Sequence, residues 1–125
     1  MRAAMPFISF NGTAFSALEY YKEVFRDFEV IQLINFEEST KVQQAVIRIG
    51  NLNLCLRDRE MPSGTTFKPE ISLYLECDSL EEIELLYRKL KKNGVIHVPL
   101  DDYKMSKRYA IIQDQFGLYW ELNLS

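Results

Sequence analysis

Glu121 stands four residues after Gly117 in the closing stretch Asp114-Gln115-Phe116-Gly117-Leu118-Tyr119-Trp120-Glu121-Leu122-Asn123-Leu124. Leu118, Trp120, Leu122 and Leu124 alternate there with Tyr119, Glu121 and Asn123, so a strand has one apolar face and one polar, partly aromatic face. On a face open to bulk water an acid means little. On a face lining a cavity it can serve as a base, as a hydrogen-bond acceptor or as a single anchor for a metal, and burial that raised its pKa would suit the base role. Asp114 and Gly117 are turn formers, so the strand is the second arm of a hairpin. Tyr119 on the same face, and Gln44, Arg48 and Tyr74 on other strands, join Glu121 as expected ligand-binding residues. The structural alternative is a carboxylate paired with an arginine such as Arg48 or Arg57.

Other chemistries find little support. Cys55 and Cys77 form no Cys-x-x-Cys pair and sit in apolar runs, which predicts buried, reduced thiols. With one histidine in the chain and Ser72 in no nucleophile-elbow pattern, a catalytic triad is not expected. His97, between Ile96 and Val98, reads as a surface or edge-strand residue. Tyr103, Lys104, Lys107 and Arg108 make a basic loop that is either simply solvated or able to attract an anionic ligand. The five glycines (Gly12, Gly50, Gly64, Gly94 and Gly117) include no Gly-x-Gly, so no site for a dinucleotide or a methyl donor is visible.

A chain of 125 residues, 47% apolar and 26% charged, is long enough for a real core and is expected to form a single domain over residues 1–125. Its net charge of -3 argues against nucleic acid as a partner. Residues 1–10 lack the apolar core of a signal peptide, and no run approaches the roughly 18 apolar residues of a membrane span. A cytoplasmic protein with no membrane partner is the expectation.

The elements that must position Glu121 come in two matching sets. Residues 6–10 read as a strand, and Thr13 or Asn11 can cap a helix whose Ala14, Ala17, Leu18, Tyr21, Val24 and Phe25 share one face. Strands follow at 28–36, 42–49 and 52–57, the last two joined at Gly50-Asn51. After a linker at 59–69 the order returns. A strand at 71–77 leads to a helix opened by the Ser79…Glu82 capping box, with Leu80, Ile83, Leu86, Tyr87 and Leu90 as its buried stripe and Gly94 as its stop. Strands at 95–100, 108–113 and the closing segment complete it. The expected fold is α+β: two βαβββ modules, residues 5–58 and 70–125, forming a curved mixed sheet around a cleft in which a small molecule would bind.

Five segments in order carry a resemblance: Pro6-Phe7-Ile8-Ser9-Phe10-Asn11-Gly12, Ala17-Leu18-Glu19-Tyr20-Tyr21-Lys22, Arg48-Ile49-Gly50, Ser72-Leu73-Tyr74-Leu75-Glu76-Cys77-Asp78, and Asp114-Gln115-Phe116-Gly117 with Trp120-Glu121-Leu122. Over nearly its whole length the chain resembles the vicinal oxygen chelate superfamily (glyoxalase I, bleomycin-resistance proteins, extradiol dioxygenases), and most of all its PhnB-like, demethylubiquinone-methyltransferase-like branch. That resemblance implies a homodimer. It also implies four metal-ligand positions, of which Glu121 alone is retained. The others fall at or next to Pro6, at or next to Leu54, and at Ser72, while Gln44 stands where relatives carry a histidine. Where relatives have Phe-Trp-Gly, this chain has Lys104-Met105-Ser106, which alters the expected pocket mouth. No cofactor is therefore expected, and a divalent metal only against the run of these residues. The function expected is small-molecule binding in the inter-module cavity without a full metal site. The alternatives are a glyoxalase-like lyase or isomerase, metal-dependent or using Glu121 as base, and a non-catalytic regulatory or structural protein.

Overall fold

The computed structural model describes residues 5–59, 71–103 and 106–125. The chain divides into two compact units, residues 1–66 and 67–125. Beyond residue 59 the expected linker lies outside the described residues, as does Lys104. The first unit runs β1 (Phe7–Phe10), α1 (Ala14–Val24), β2 (Phe28–Asn35), β3 (Val42–Ile49) and β4 (Leu52–Asp58). The second runs β5 (Ser72–Glu76), α2 (Leu80–Lys91), β6 (Val95–Tyr103), β7 (Ser106–Gln113) and β8 (Tyr119–Leu124). Each holds a four-stranded sheet, ordered β1-β4-β3-β2 and β5-β8-β7-β6. In both the first-named pair is parallel and the other two are antiparallel. This is the α+β class with two βαβββ modules that the periodicities predict.

Each unit makes its core between its helix and one face of its sheet. Ala14, Ala17, Leu18, Tyr21 and Val24 of α1 are buried with Val42, Ala45, Ile47, Leu54 and Leu56. Ile83, Leu86 and Leu90 of α2 are buried with Ala110, Ile112, Trp120 and Leu122. Full burial of each large apolar side chain stabilises by about 1.5–3 kcal/mol, which fixes the alternation and with it the face on which Glu121 emerges. Two members of the expected α2 stripe depart from it. Leu80 is exposed in the first turn, and Tyr87 is half-buried with the Lys91 ammonium 5.1 Å from its ring centre.

The helix ends differ from expectation in an informative way. Neither Thr13 nor Asn11 caps α1 through its side chain; Asp58 at the end of β4 accepts from the Ala14 N–H at 3.0 Å and from the Val42 N–H at 2.9 Å. On α2 the Ser79 hydroxyl accepts from the Glu82 N–H at 3.1 Å, as the capping box predicts, while the Glu82 carboxylate reaches the Asp78 N–H at 2.7 Å. After α2 it is Asn93, with φ 60°, that takes the left-handed conformation. Gly94 is needed for a different reason: a Cβ there would lie 2.4 Å from the Gln113 carbonyl oxygen. The turn before β8 is built on Asp114, which is 3% exposed. Its carboxylate accepts from the N–H groups of Phe116 (2.8 Å) and Leu118 (3.1 Å) and from the Trp120 indole N–H (2.8 Å). Gly117 supplies φ +94° within that turn. β6 runs on to Tyr103 and β7 starts at Ser106, so the hairpin arms are longer than the apolar runs alone suggest.

Candidate functional site: the open face of the second sheet

Because Trp120 and Leu122 turn to α2, strand alternation turns Tyr119, Glu121 and Asn123 to the opposite face. Glu121 is opposite Tyr74 on one side and Ile111 on the other. Its carboxylate accepts hydrogen bonds from the Ser72 hydroxyl and the Tyr109 phenol. Ser72 first, then Tyr109, hold the Glu121 carboxyl below its ordinary range and outweigh the upward push of partial burial. The elevation that would suit a base is therefore not found, because two donors favour the charged form by more than the shallow desolvation disfavours it. The Tyr109 phenol moves the other way, pushed up to about 12 by burial and then by the carboxylate it donates to.

A second carboxylate lies along the same face. Glu76 accepts from Asn123 Nδ2 at 3.0 and 3.1 Å, from Ser125 Oγ at 3.0 Å and from the Tyr74 phenol at 3.2 Å. These donors, Asn123 foremost, lower its pKa. His97 sits where the β6–β7 register shifts between Ile96 and Val98, on an edge strand as the sequence suggests. That irregularity brings its Nε2 to 3.1 Å from Gln113 Oε1 and its ring to 5.1 Å from that of Tyr119. Tyr103 meets Tyr109 edge-on with ring centres 6.3 Å apart.

Of the sequence-predicted site residues, Tyr74, Tyr119 and Glu121 thus share one sheet face. Gln44 and Arg48 belong to β3 of the first unit, where Gln44 Nε2 donates to Gln32 Oε1 at 2.8 Å and Arg48 pairs with Glu29. Arg57 lies 4.9 Å from the Phe7 ring centre and donates to Ser9 Oγ at 3.2 Å. Neither arginine appears among the partners that set the Glu121 carboxylate, which are hydroxyls. Tyr109 was not among the expected residues. The signal that finds it is positional: counted back from the Asp114 turn, it shares the face of Gln113 and Ile111 and stands one cross-strand step from Glu121.

Lys107 and Arg108 border a cavity of about 410 Å³ with Asp78, Ser79, Leu80, Asp102 and Leu124. Its two acids offset its two bases, which weakens the case for an anion there. Both cysteines are free and buried, and burial, followed by Glu82 and Glu76, pushes the Cys77 thiol up to about 12.

The two sheets are equivalent enough to superimpose by register. Ala45 faces Leu56 in one and Ala110 faces Leu122 in the other, so Cys55 is the first-unit counterpart of Glu121. The model of the 3-demethylubiquinone-9 3-methyltransferase family matches residues 2–123. The chain belongs to that family. Among solved structures, this PhnB-like protein is similar to a PhnB protein from Bacillus cereus, with 28% identity over 99% of this chain and 100% of the other, and a TM-score of 0.87. A glyoxylase/bleomycin resistance protein/dioxygenase domain from Frankia sp. EAN1pec has 16% identity, coverages of 100% and 98%, and a TM-score of 0.71. The fosfomycin resistance protein FosX of Listeria monocytogenes, solved with Mn(II) and dihydroxypropylphosphonic acid, has 13% identity, coverages of 98% and 92%, and a TM-score of 0.64. The last two likenesses establish the fold alone, one shared with a glyoxylase/bleomycin resistance protein/dioxygenase domain. No curated protein matches the sequence.

Neither group that these relatives bring to mind fits the residues here. A methyl donor of the nucleotide kind needs a glycine-rich strand-to-helix turn on a largely parallel sheet, whereas each sheet here has a single parallel pair and the chain has no Gly-x-Gly. For a metal, no three His, Cys, Asp or Glu side chains gather among the described residues. Glu121 itself has hydroxyl neighbours, which are poor ligands for a divalent ion.

Proposed function

We propose that this PhnB-like protein binds a small molecule against the open face of the second sheet, without a full metal site and without a methyl-donor cofactor. The observation that carries this reading is Glu121, a carboxylate kept ionised by Ser72 and Tyr109 amid tyrosines. Nothing in the core requires an acid at this position. Tyr74 and Tyr119 supply flat, partly apolar contact surface beside it. A glyoxalase-like lyase or isomerase with Glu121 as base is the weaker reading, because a carboxylate held below its ordinary range is a poor proton acceptor at neutral pH.

We also take the protein to be a cytoplasmic homodimer. Self-association is favoured by the edge strand β2, whose Val30, Ile31, Leu33 and Ile34 are each at least 40% exposed. Sedimentation of the full chain tests it, and a monomer at micromolar concentration rejects it.

The binding reading is tested by dialysing the protein against a mixture of cell metabolites and identifying what the wild type retains and Glu121→Gln does not. Equal retention by both removes Glu121 from the site. Metal analysis after purification without chelator, repeated after adding nickel, manganese, iron and zinc, tests the metal-free part. One tightly held ion per chain, lost in Glu121→Gln, would overturn it.

A further inference from the structure

We infer that Ser72 and Tyr109 are positioning residues that fix Glu121 as an anionic acceptor, so that the site selects ligands presenting N–H or O–H donors and disfavours anionic ones. This rests on the binding reading above and adds to it the class of ligand. The two residues reach Glu121 from opposite neighbours, Ser72 from the parallel strand β5 and Tyr109 from the antiparallel strand β7. Each takes a different carboxylate oxygen, Ser72 donating to Oε2 and Tyr109 to Oε1. The group is thereby held from both sides in one orientation, with a lone pair of each oxygen left for a third partner.

Both hydroxyls spend their only proton on Glu121, so neither has a donor left for a ligand anion. The next residues on the face point the same way. The Tyr74 phenol donates to Glu76, and Asn123 gives its amide hydrogens to Glu76 and Ser125. Residues 72, 74, 76, 109, 111, 119 and 123 around Glu121 include no lysine or arginine; Lys107, two positions from Tyr109 on β7, and His97, beside Tyr119, lie at the margins of the patch. What this surface offers a ligand is therefore acceptors and tyrosine rings, which suit an amine, an ammonium group or a hydroxyl-rich molecule and repel a carboxylate or phosphate.

The clamp is tested in the ligand-free full chain labelled with carbon-13 at the glutamate carboxyls, the Glu121 resonance being assigned by its loss in Glu121→Gln. Glu121 should titrate below the ordinary carboxylate range in wild type. Its midpoint should rise in Ser72→Ala and in Tyr109→Phe, and rise further when both are changed. A midpoint in the ordinary range, or one that neither substitution moves, overturns the clamp. Ser72→Ala removes one exposed hydroxyl from a strand end, so this variant keeps the fold even if Tyr109→Phe loosens it. The ligand class is tested separately with two probes of matched size, methylammonium and acetate, by following amide shifts on β5, β7 and β8. Methylammonium should move the signals of Tyr74, Tyr119 and Glu121 at concentrations where acetate does not. Equal responses, or no response, overturn the selectivity. Failure of the metabolite experiment would count against small-molecule binding while leaving the Glu121 titration as it is, so the two claims fail separately.

Discussion

The two sheets have the same strand order and the same helix-covered face, yet their other faces handle charge in opposite ways. On the first, charged and polar groups satisfy one another: Arg48 pairs with Glu29, Gln44 with Gln32, and Arg57 rests on Phe7 and Ser9. On the second, Glu121 and Glu76 are held by neutral donors, namely Ser72 and Tyr109 for one and Asn123, Ser125 and Tyr74 for the other. An ion pair cancels charge. A neutral donor lowers a carboxylate's pKa while leaving its charge in place. Duplicated architecture thus leaves one face with an ion pair and the Arg57 cation, and the other with two carboxylates held by neutral donors.

The units differ as sharply in how they build the turn into their last strand, and substitutions there should show it. In the second unit Asp114→Ala removes three hydrogen bonds, one of them from the indole N–H of the buried Trp120. It should cost about 3–5 kcal/mol in urea unfolding, a value typical of a broken buried network. The first unit makes its turn with Gly50, at φ +59° and with open space where a Cβ would go. Gly50→Ala should therefore cost only about 1 kcal/mol, from backbone strain alone. Equal losses would mean that Asp114 is not the anchor of its turn.

Gly94→Ala comes next, at roughly 2–3 kcal/mol, because its Cβ would press on backbone carbonyls that cannot yield as a side chain can. Helix capping gives a smaller contrast. Asp58→Ala removes an acceptor shared by α1 and β3 and should cost about 1–2 kcal/mol, whereas Ser79→Ala loses one capping bond and should cost about 1 kcal/mol. A larger loss for Ser79→Ala would show that the cap within α2 matters more than the clasp from β4.

Much of this was legible in the sequence because it depends on local period. The alternation through Trp120 and Leu122 gives the face of Glu121, and the three- and four-residue spacing of Ala14, Ala17, Leu18 and Tyr21 gives α1. What escaped depends on partners distant in the chain. Asp58 caps a helix that starts 44 residues earlier, and Tyr109 donates to a carboxylate 12 residues later. The lowered Glu121 pKa escaped for the same reason: burial can be guessed from a strand's pattern, but two donors from neighbouring strands cannot. Gly94 shows a subtler limit, since a glycine after a helix suggests a left-handed cap, while here Asn93 takes that conformation and the glycine makes room for Gln113.

The smallest effect is a pH dependence of the second face. The folded-state pKa of Glu121 lies below its unfolded value of about 4.3, so its contribution to stability is complete above that pH and is lost as pH falls through the folded value. Tyr109 has the opposite sign. Its folded value of about 12 exceeds the ordinary phenol value of 10.0, so its contribution is complete below the lower figure and is lost as pH rises toward the upper one. One hydrogen bond contributes to both slopes, after Ser72 in the first case and after burial in the second, so Glu121→Gln should abolish the acid slope and reduce the alkaline one. In a spectroscopic titration of tyrosinate absorbance, the last tyrosine to ionise in the wild type should move down toward the ordinary range in that variant. An unmoved late tyrosine would assign the alkaline shift to burial alone, which is already its largest cause, and would make the carboxylate–phenol contact a neighbourly one with little coupling. Removing the Arg48–Glu29 pair on the first face should leave both slopes as they were, since an exposed ion pair contributes only about 0–1 kcal/mol and neither partner acts on the phenol.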